Sequence, residues 1–186
     1  MHDFIYLCTM NRKLKLWELN RIDEDGFKNQ AKFPLVVVLD DIRSLSNVGT
    51  FFRTADAFNV EKIYLCGITA TPPHREIHKT ALGATETIEW EYVEHIETLL
   101  IRLKADGYTL CTVEQTEQTT MLHQLDRISA SKFALVFGNE VDGVNQKAVD
   151  ASDYVIEIPQ FGTKHSLNVS VCAGVVLWEF AKRYIQ

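Results

Sequence analysis

Unbroken apolar runs alternate along this chain with stretches whose apolar residues recur every three or four positions. Leu35-Val36-Val37-Val38-Leu39 is a continuous, largely β-branched run, and Phe133-Ala134-Leu135-Val136-Phe137 is a second. Lys62–Cys66, Tyr108–Val113 and Tyr154–Ile158 have the same character, and Thr87–Tyr92 is read as a further strand. Short runs of this kind, apolar on both faces, predict strands buried inside a parallel sheet. Between them lie helical spacings. One helix is predicted from a cap at Ser46 or Asn47 to Phe58, with Val48, Phe51, Phe52, Ala55 and Phe58 on its apolar face. Another spans Val93–Ala105 and stops at Asp106-Gly107, and a short turn over His78–Ala84 is closed by Gly83. A helix over Gln146–Asp150 precedes the last strand, and Leu167–Arg183, apolar on most faces, is predicted as a buried or interfacial helix with Ser166 as its N-cap. Regular alternation of strand and helix predicts an α/β domain, a mostly parallel sheet with helices on both faces.

The N-terminal part reads differently. Residues 1–11 have weak periodicity. From Asn11 to Asn29, Leu14, Leu16, Trp17, Leu19 and Ile22 alternate with Arg12, Lys13, Lys15 and Arg21, which predicts a basic amphipathic helix breaking before Asp25-Gly26. Its plain role is a surface helix docked on the body; its functional role would be an arm near RNA or a partner subunit. The chain therefore divides into an extension over residues 1–32 and one domain over residues 33–186.

Composition narrows the classes. With 46% hydrophobic residues and no run long enough to span a bilayer, a soluble globular protein is expected. The N-terminus lacks the charged head and cleavage site of a signal peptide. Cys8, Cys66, Cys111 and Cys172 show no paired spacing and sit beside apolar residues, as buried thiols do in a reducing, cytoplasmic compartment. A net charge of −6 argues against indiscriminate nucleic-acid binding but leaves room for a local basic patch.

Three predicted strands run into polar loops that contain glycine: Asn47–Arg53, Gly138–Gly143 and Gly162–Asn168. Loops at the carboxyl ends of parallel strands are where such sheets bind ligands. The alternatives are ordinary: Arg53 in a surface ion pair with Asp56 or another acid, Glu140 as a capping or ion-paired carboxylate at a helix start, Asn168 as a first-turn residue. No dinucleotide fingerprint, phosphate loop or His-Glu-x-x-His pair is present, and no metal is expected.

The three loops also carry a resemblance. Asn47-x-Gly49-x-x-x-Arg53-Thr54-Ala55, Gly138-x-Glu140-x-x-Gly143 and Ile158-Pro159-x-x-Gly162-x-x-x-Ser166-Leu167-Asn168-Val169-Ser170 resemble the three ordered motifs of the SpoU/TrmH family, RNA ribose 2′-O-methyltransferases of the SPOUT superfamily. The resemblance covers about residues 33–183. It implies a C-terminal trefoil knot, S-adenosylmethionine held in the knot, a tRNA or rRNA substrate and a homodimer. By similarity, Val113, Glu114, Gly138, Ile158, Gly162 and Leu167 contact the cofactor. Arg53 acts on the ribose hydroxyl, either as a base or by steadying the developing alkoxide, and Asn47, Glu140, Ser166 and Asn168 position the site. Many relatives have methionine where this chain has Gln160, which bears on the shape of the pocket. With no large N-terminal RNA-binding domain, RNA selection is expected to fall to the basic helix and to the surroundings of Arg43, Arg75 and Lys79. The other reading is a catalytically silent RNA- or cofactor-binding protein of the same fold.

Overall fold

The computed structural model describes residues 11–185, so the expectations for residues 1–10, Cys8 included, lie outside the described residues. Seven strands are seen among these residues: β1 (Phe33–Asp40), β2 (Val60–Cys66), β3 (Glu89–Val93), β4 (Thr109–Val113), β5 (Thr120–Met121), β6 (Phe133–Phe137) and β7 (Tyr154–Glu157). They form one sheet in the order β3-β2-β1-β6-β4-β7-β5, with every neighbouring pair parallel. The helices are α1 (Glu24–Asn29), α2 (Leu45–Ala57), α3 (Arg75–Ala81), α4 (Ala84–Thr87), α5 (Ile96–Ala105), α6 (Gln146–Ala151) and α7 (Val169–Ala181).

The period of two along β1 sorts its side chains onto two cores. Leu35, Val37 and Leu39 join α2, Ile77 of α3 and the inner face of α7 (Ala173, Val176, Leu177, Phe180) on one side. Val36 and Val38 join Ile96, Leu99, Leu100 and Leu103 of α5 and Ala148 of α6 on the other. Both faces of the sheet are thus covered, which is why its central strands read as unbroken apolar runs.

Strand register brings one edge of the sheet level. Phe137 pairs with Leu39 and with Val113, and Val113 pairs also with Ile156. The chain leaving β1, β6, β4 and β7 therefore emerges side by side. Thr120 of β5 also pairs with Ile156, so residues 114–119 step across β7 to reach the far side of a strand that comes later in the chain. Ordinary α/β connections avoid such a crossing, and it is in keeping with the knot that the family resemblance implies.

Several elements differ from the sequence reading. No single helix spans residues 11–29: a 3₁₀ turn covers Leu16–Glu18, Asn20 takes left-handed backbone (φ 48°), and α1 begins where a break was predicted. Asp23 caps α1 by accepting from the Gly26 amide at 2.8 Å. The apolar stripe that should have docked such a helix stays in solvent, with Leu16 at 84% and Trp17 at 75% exposure. An amphipathic helix without a surface to pack on has little to stabilise it. Val93 ends β3 and does not open α5, whose first residue is Ile96. The short turn expected to end at Gly83 is α3, and Leu82 in left-handed backbone closes it.

Candidate active site

The three motif loops meet at the level edge of the sheet. Ser44 caps α2, neither Ser46 nor Asn47 doing so; its hydroxyl accepts from the Asn47 amide at 3.3 Å. The cap sets Asn47 in the first turn of α2, where it is buried and turned toward the other two loops. Its Nδ2 donates to Glu140 Oε1 at 2.6 Å, and its Oδ1 accepts from Asn168 Nδ2 at 3.3 Å. One side chain thus ties the β1–α2, β6–α6 and β7–α7 connections together.

Asn168, and not Ser166, is the N-cap of α7. Its Oδ1 accepts from the Ser170 amide at 2.9 Å, the Ser170 hydroxyl at 2.7 Å and the Val171 amide at 3.3 Å. The helix begins at Val169, two residues later than expected, because Asn168 satisfies its free amides with one end of the side chain and holds Asn47 with the other.

Beside this polar chain lies a cavity of about 630 Å³, within the usual range for small-ligand sites. Of the predicted cofactor residues, Val113, Glu114, Gly138, Ile158 and Leu167 line it, as do Glu140, Ser166, Asn168 and Gln160. Gly162 does not; its loop is exposed and a Cβ there would meet nothing within 4 Å. Asn47 stands one hydrogen bond behind the lining. Arg53 lies on α2, exposed, outside the cavity of its own chain. The ordinary alternative for it is not realised: among the described residues it enters no ion pair, and Asp56 instead accepts from the Thr87 hydroxyl at 2.7 Å.

The glycines of the motifs divide in their reasons. At Gly49 a side chain would land on Thr80 and the Ile77 carbonyl of α3, so this glycine serves helix packing. At Gly138 a side chain would land on the backbone of Gly143 and Val144, so the loop is folded back on its own start. Asn139 closes that fold: its amide and carbonyl pair with Gly143, and its Oδ1 accepts from the Val141 and Asp142 amides at 2.9 and 2.8 Å. Asn139 was not singled out from sequence, although an Asn with Asp142-Gly143 three residues later is a turn signal. Glu114 braces the same loop, accepting from the Val144 amide at 3.2 Å and the Gln115 amide at 2.7 Å. Cys172 lines the cavity from α7, where burial, with the Glu114 carboxylate adding to it, pushes its thiol up to about 11. Cys66 and Cys111 are buried and free, both pushed up to about 12 chiefly by burial.

Of the cations expected to select RNA, Arg43 is already engaged, paired with Asp142 at 3.0 Å across the first two loops. Arg75 and Lys79 stand exposed on α3. Among the described residues no helix is long and apolar enough to cross a membrane, and no group of three or more His, Cys, Asp or Glu side chains is placed to hold a metal ion.

Known proteins are similar to this chain in sequence and fold. The chain is 33% identical over 162 residues to a 23S rRNA (guanosine-2′-O-)-methyltransferase, RlmB, of Neisseria meningitidis, an alignment that takes in 87% of this chain and 64% of that protein. Among solved structures, the A. aeolicus TrmH/SpoU tRNA modifying enzyme superposes with a TM-score of 0.74 at 25% identity, covering 86% of this chain and 79% of that one. An AdoMet-bound rRNA methyltransferase from Sinorhizobium meliloti superposes with a TM-score of 0.73 at 26% identity, covering 88% of this chain and 60% of that one. This chain thus spans less than two thirds of the Neisseria and Sinorhizobium proteins. The SpoU rRNA Methylase family matches residues 34–178, every strand but for Phe33 of β1, all three motif loops and most of α7 included, and the chain belongs to that family.

Proposed function

We propose that this chain is an S-adenosylmethionine-dependent RNA methyltransferase that acts on a ribose 2′-hydroxyl of tRNA or rRNA. The observation that carries the reading is the hydrogen-bonded chain Glu140–Asn47–Asn168, which draws the three motif loops onto the rim of one cavity. The site fits the cofactor: a loop folded tightly at Gly138 leaves backbone groups of the β6 end on the lining, and Val113, Ile158 and Leu167 supply apolar walls. The bound cofactor supplies an electrophilic methyl group. What the protein must supply is alignment of the ribose oxygen with that methyl, and charge to steady the oxygen as its proton leaves.

Arg53 is the group for the second task. Guanidinium holds its proton too firmly for an easy base, but its planar fork suits a ribose oxygen and a neighbouring phosphate together. Its position outside the cavity of its own chain fits a site shared between two copies. The exposed outer face of α7, with Val171 at 55%, Val175 at 42% and Trp178 at 49% exposure, offers a surface for such a homodimer. Trp178 also contacts Phe58 just past α2, ring centroids 6.0 Å apart, so the helix that bears Arg53 adjoins this face. We assign residues 33–186 to the methyltransferase domain and residues 1–32 to an extension, and place the protein in the cytoplasm with its RNA.

The test is incubation with labelled S-adenosylmethionine and total RNA, followed by mapping of the modified nucleotide. Label on a ribose 2′-oxygen supports the reading. Label on a base sinks it, and binding of cofactor with no transfer to any RNA sinks it and favours the silent binding protein.

A further inference from the structure

The polar site accounts for the three motifs but leaves the N-terminal segment unused. Residues 11–22 precede the part of the chain that the family matches. They hold Arg12, Lys13, Lys15 and Arg21 against one carboxylate, Glu18, a net of +3. Since the whole chain carries −6, the rest carries −9. A body of that charge repels a polyphosphate, so RNA chemistry on it requires a cationic element placed apart from the surplus acids.

The segment has the form for that work. Glu18 accepts two bonds from the Arg12 guanidinium, at 2.6 and 2.9 Å, and one from the Lys15 amide at 2.7 Å, which closes residues 12–18 into a turn. The turn leaves Trp17 at 75% exposure with Lys15 Nζ 5.0 Å from its ring centroid. Among the described residues, no hydrogen bond joins residues 11–22 to the body, and Lys13, Lys15 and Arg21 take none of the body's carboxylates in an ion pair. An exposed indole among free cations is the pairing that holds unpaired nucleotides, the ring stacking on a base and the cations meeting the flanking phosphates.

We propose that residues 11–22 form an RNA-gripping arm, in which Trp17 stacks on an unpaired base and Lys13, Lys15 and Arg21 contact phosphates. The inference deepens the RNA methyltransferase reading and rests on it for the substrate class. A second copy of this chain is the other conceivable cover for the arm, given its exposed leucines. The cations favour RNA.

The experiment uses the full chain as wild type, Trp17→Ala, Trp17→Phe and the double variant Lys13→Ala/Lys15→Ala. Fluorescence anisotropy with a labelled, unstructured oligoribonucleotide is followed across a salt series, with light scattering on each protein. Trp17→Ala should bind about tenfold or more weakly, the scale of one lost base stack, and Trp17→Phe should keep most of the affinity. The double variant should lower the slope of log affinity against log salt by about 1.4, two phosphate contacts on a single strand. All four proteins should keep one molar mass. RNA binding unchanged in every variant overturns the arm, and so does a fall in molar mass that by itself accounts for the lost affinity. A separate titration of wild type with S-adenosylmethionine keeps the two claims apart. Cofactor binding with methyl transfer to total RNA but no binding of the oligoribonucleotide overturns the arm alone, whereas RNA binding that follows the expected pattern without cofactor binding overturns the methyltransferase reading alone.

Discussion

Asn47→Asp tests the polar chain with the least change in shape. The variant keeps the volume of a buried side chain and replaces the Nδ2 donor, 2.6 Å from Glu140 Oε1, by a carboxylate oxygen. A charge-assisted hydrogen bond becomes a contact between like charges. Two unit charges about 4 Å apart at an effective dielectric of about 20 interact by about 4 kcal/mol. Glu140 is exposed, so solvent screening and rotation of its side chain reduce this to about 2 kcal/mol at pH 8. For a chain of this size that corresponds to a melting temperature about 4–8 °C lower. The sign with pH follows from the pair. Each carboxylate raises the proton affinity of the other above its value in the unfolded chain, so the cost is present in full at high pH and fades as pH falls through the raised values. Melting curves of wild type, Asn47→Asp and Asn47→Ala from pH 8 down to pH 4.5 provide the measurement. The gap between wild type and Asn47→Asp should narrow toward acid, while that for Asn47→Ala, which loses the donor but adds no charge, should narrow less. Cofactor affinity should fall in both variants, because Glu140 and Asn168 line the cavity. An Asn47→Asp protein that melts with wild type at pH 8, or a gap that ignores pH, would show that Asn47 does not hold Glu140.

Arg53→Ala should lower methyl transfer by about two orders of magnitude or more with melting temperature and cofactor affinity near wild type, and Arg53→Lys should recover little; near-normal transfer in the folded Ala variant removes Arg53 from the chemistry. Gly138→Ala should lose both thermal stability and cofactor binding in calorimetry, because its Cβ falls on the Gly143 and Val144 backbone, whereas Gly162→Ala should match wild type in both. A Gly162→Ala protein that loses cofactor would restore that glycine to the binding set. Val175→Asp, on the exposed face of α7, should convert a homodimer seen by light scattering into a monomer that stays folded; an unchanged mass points to a different interface.

The sheet was legible because β1 and β6 are buried on both faces, and residues such as Leu35–Leu39 have no polar face to confuse the pattern. Where elements end was harder, because polar residues that suit a cap occur in clusters. Ser44, Ser46 and Asn47 are all able to start α2, and Ser166 and Asn168 are both able to start α7. The choice falls on Ser44 and Asn168 because Asn47 is needed to span two other loops, 93 and 121 residues away in the chain. No local pattern encodes that. The strand β5 has no signal in the sequence for a similar reason: Thr120 and Met121 are extended only because β7 arrives later to pair with them. Arg43, expected near the RNA, is paired with Asp142, 99 residues on. The N-terminal segment misled in the opposite way, since its periodicity describes a helix with a face to bury, and among the described residues nothing buries it. For the site, glycine-bearing loops after strands pointed to the edge where the cavity lies, but only the family resemblance suggested a ligand for it.

Asn168 sits at the junction of two proposed functions. Through Oδ1 it starts α7, whose outer face is the proposed subunit surface; through Nδ2 it reaches Asn47 and so Glu140 on the cavity rim. A ligand that orders the rim therefore acts on the same side chain that fixes the first turn of the interface helix. If the proteins associate through that helix, cofactor binding and association share a free energy, and each must strengthen or weaken the other by the same factor. The parallel sheet explains why the junction lies here. Its level carboxyl edge delivers three loops to one place, and β7, inserted between β4 and β5, carries the third of them directly into α7. A site assembled in this way cannot be loosened at one loop without disturbing the others, so replacement of Asn47, which stands behind the cavity lining and bonds to Glu140 and Asn168 on it, should be felt in stability, cofactor affinity and transfer together.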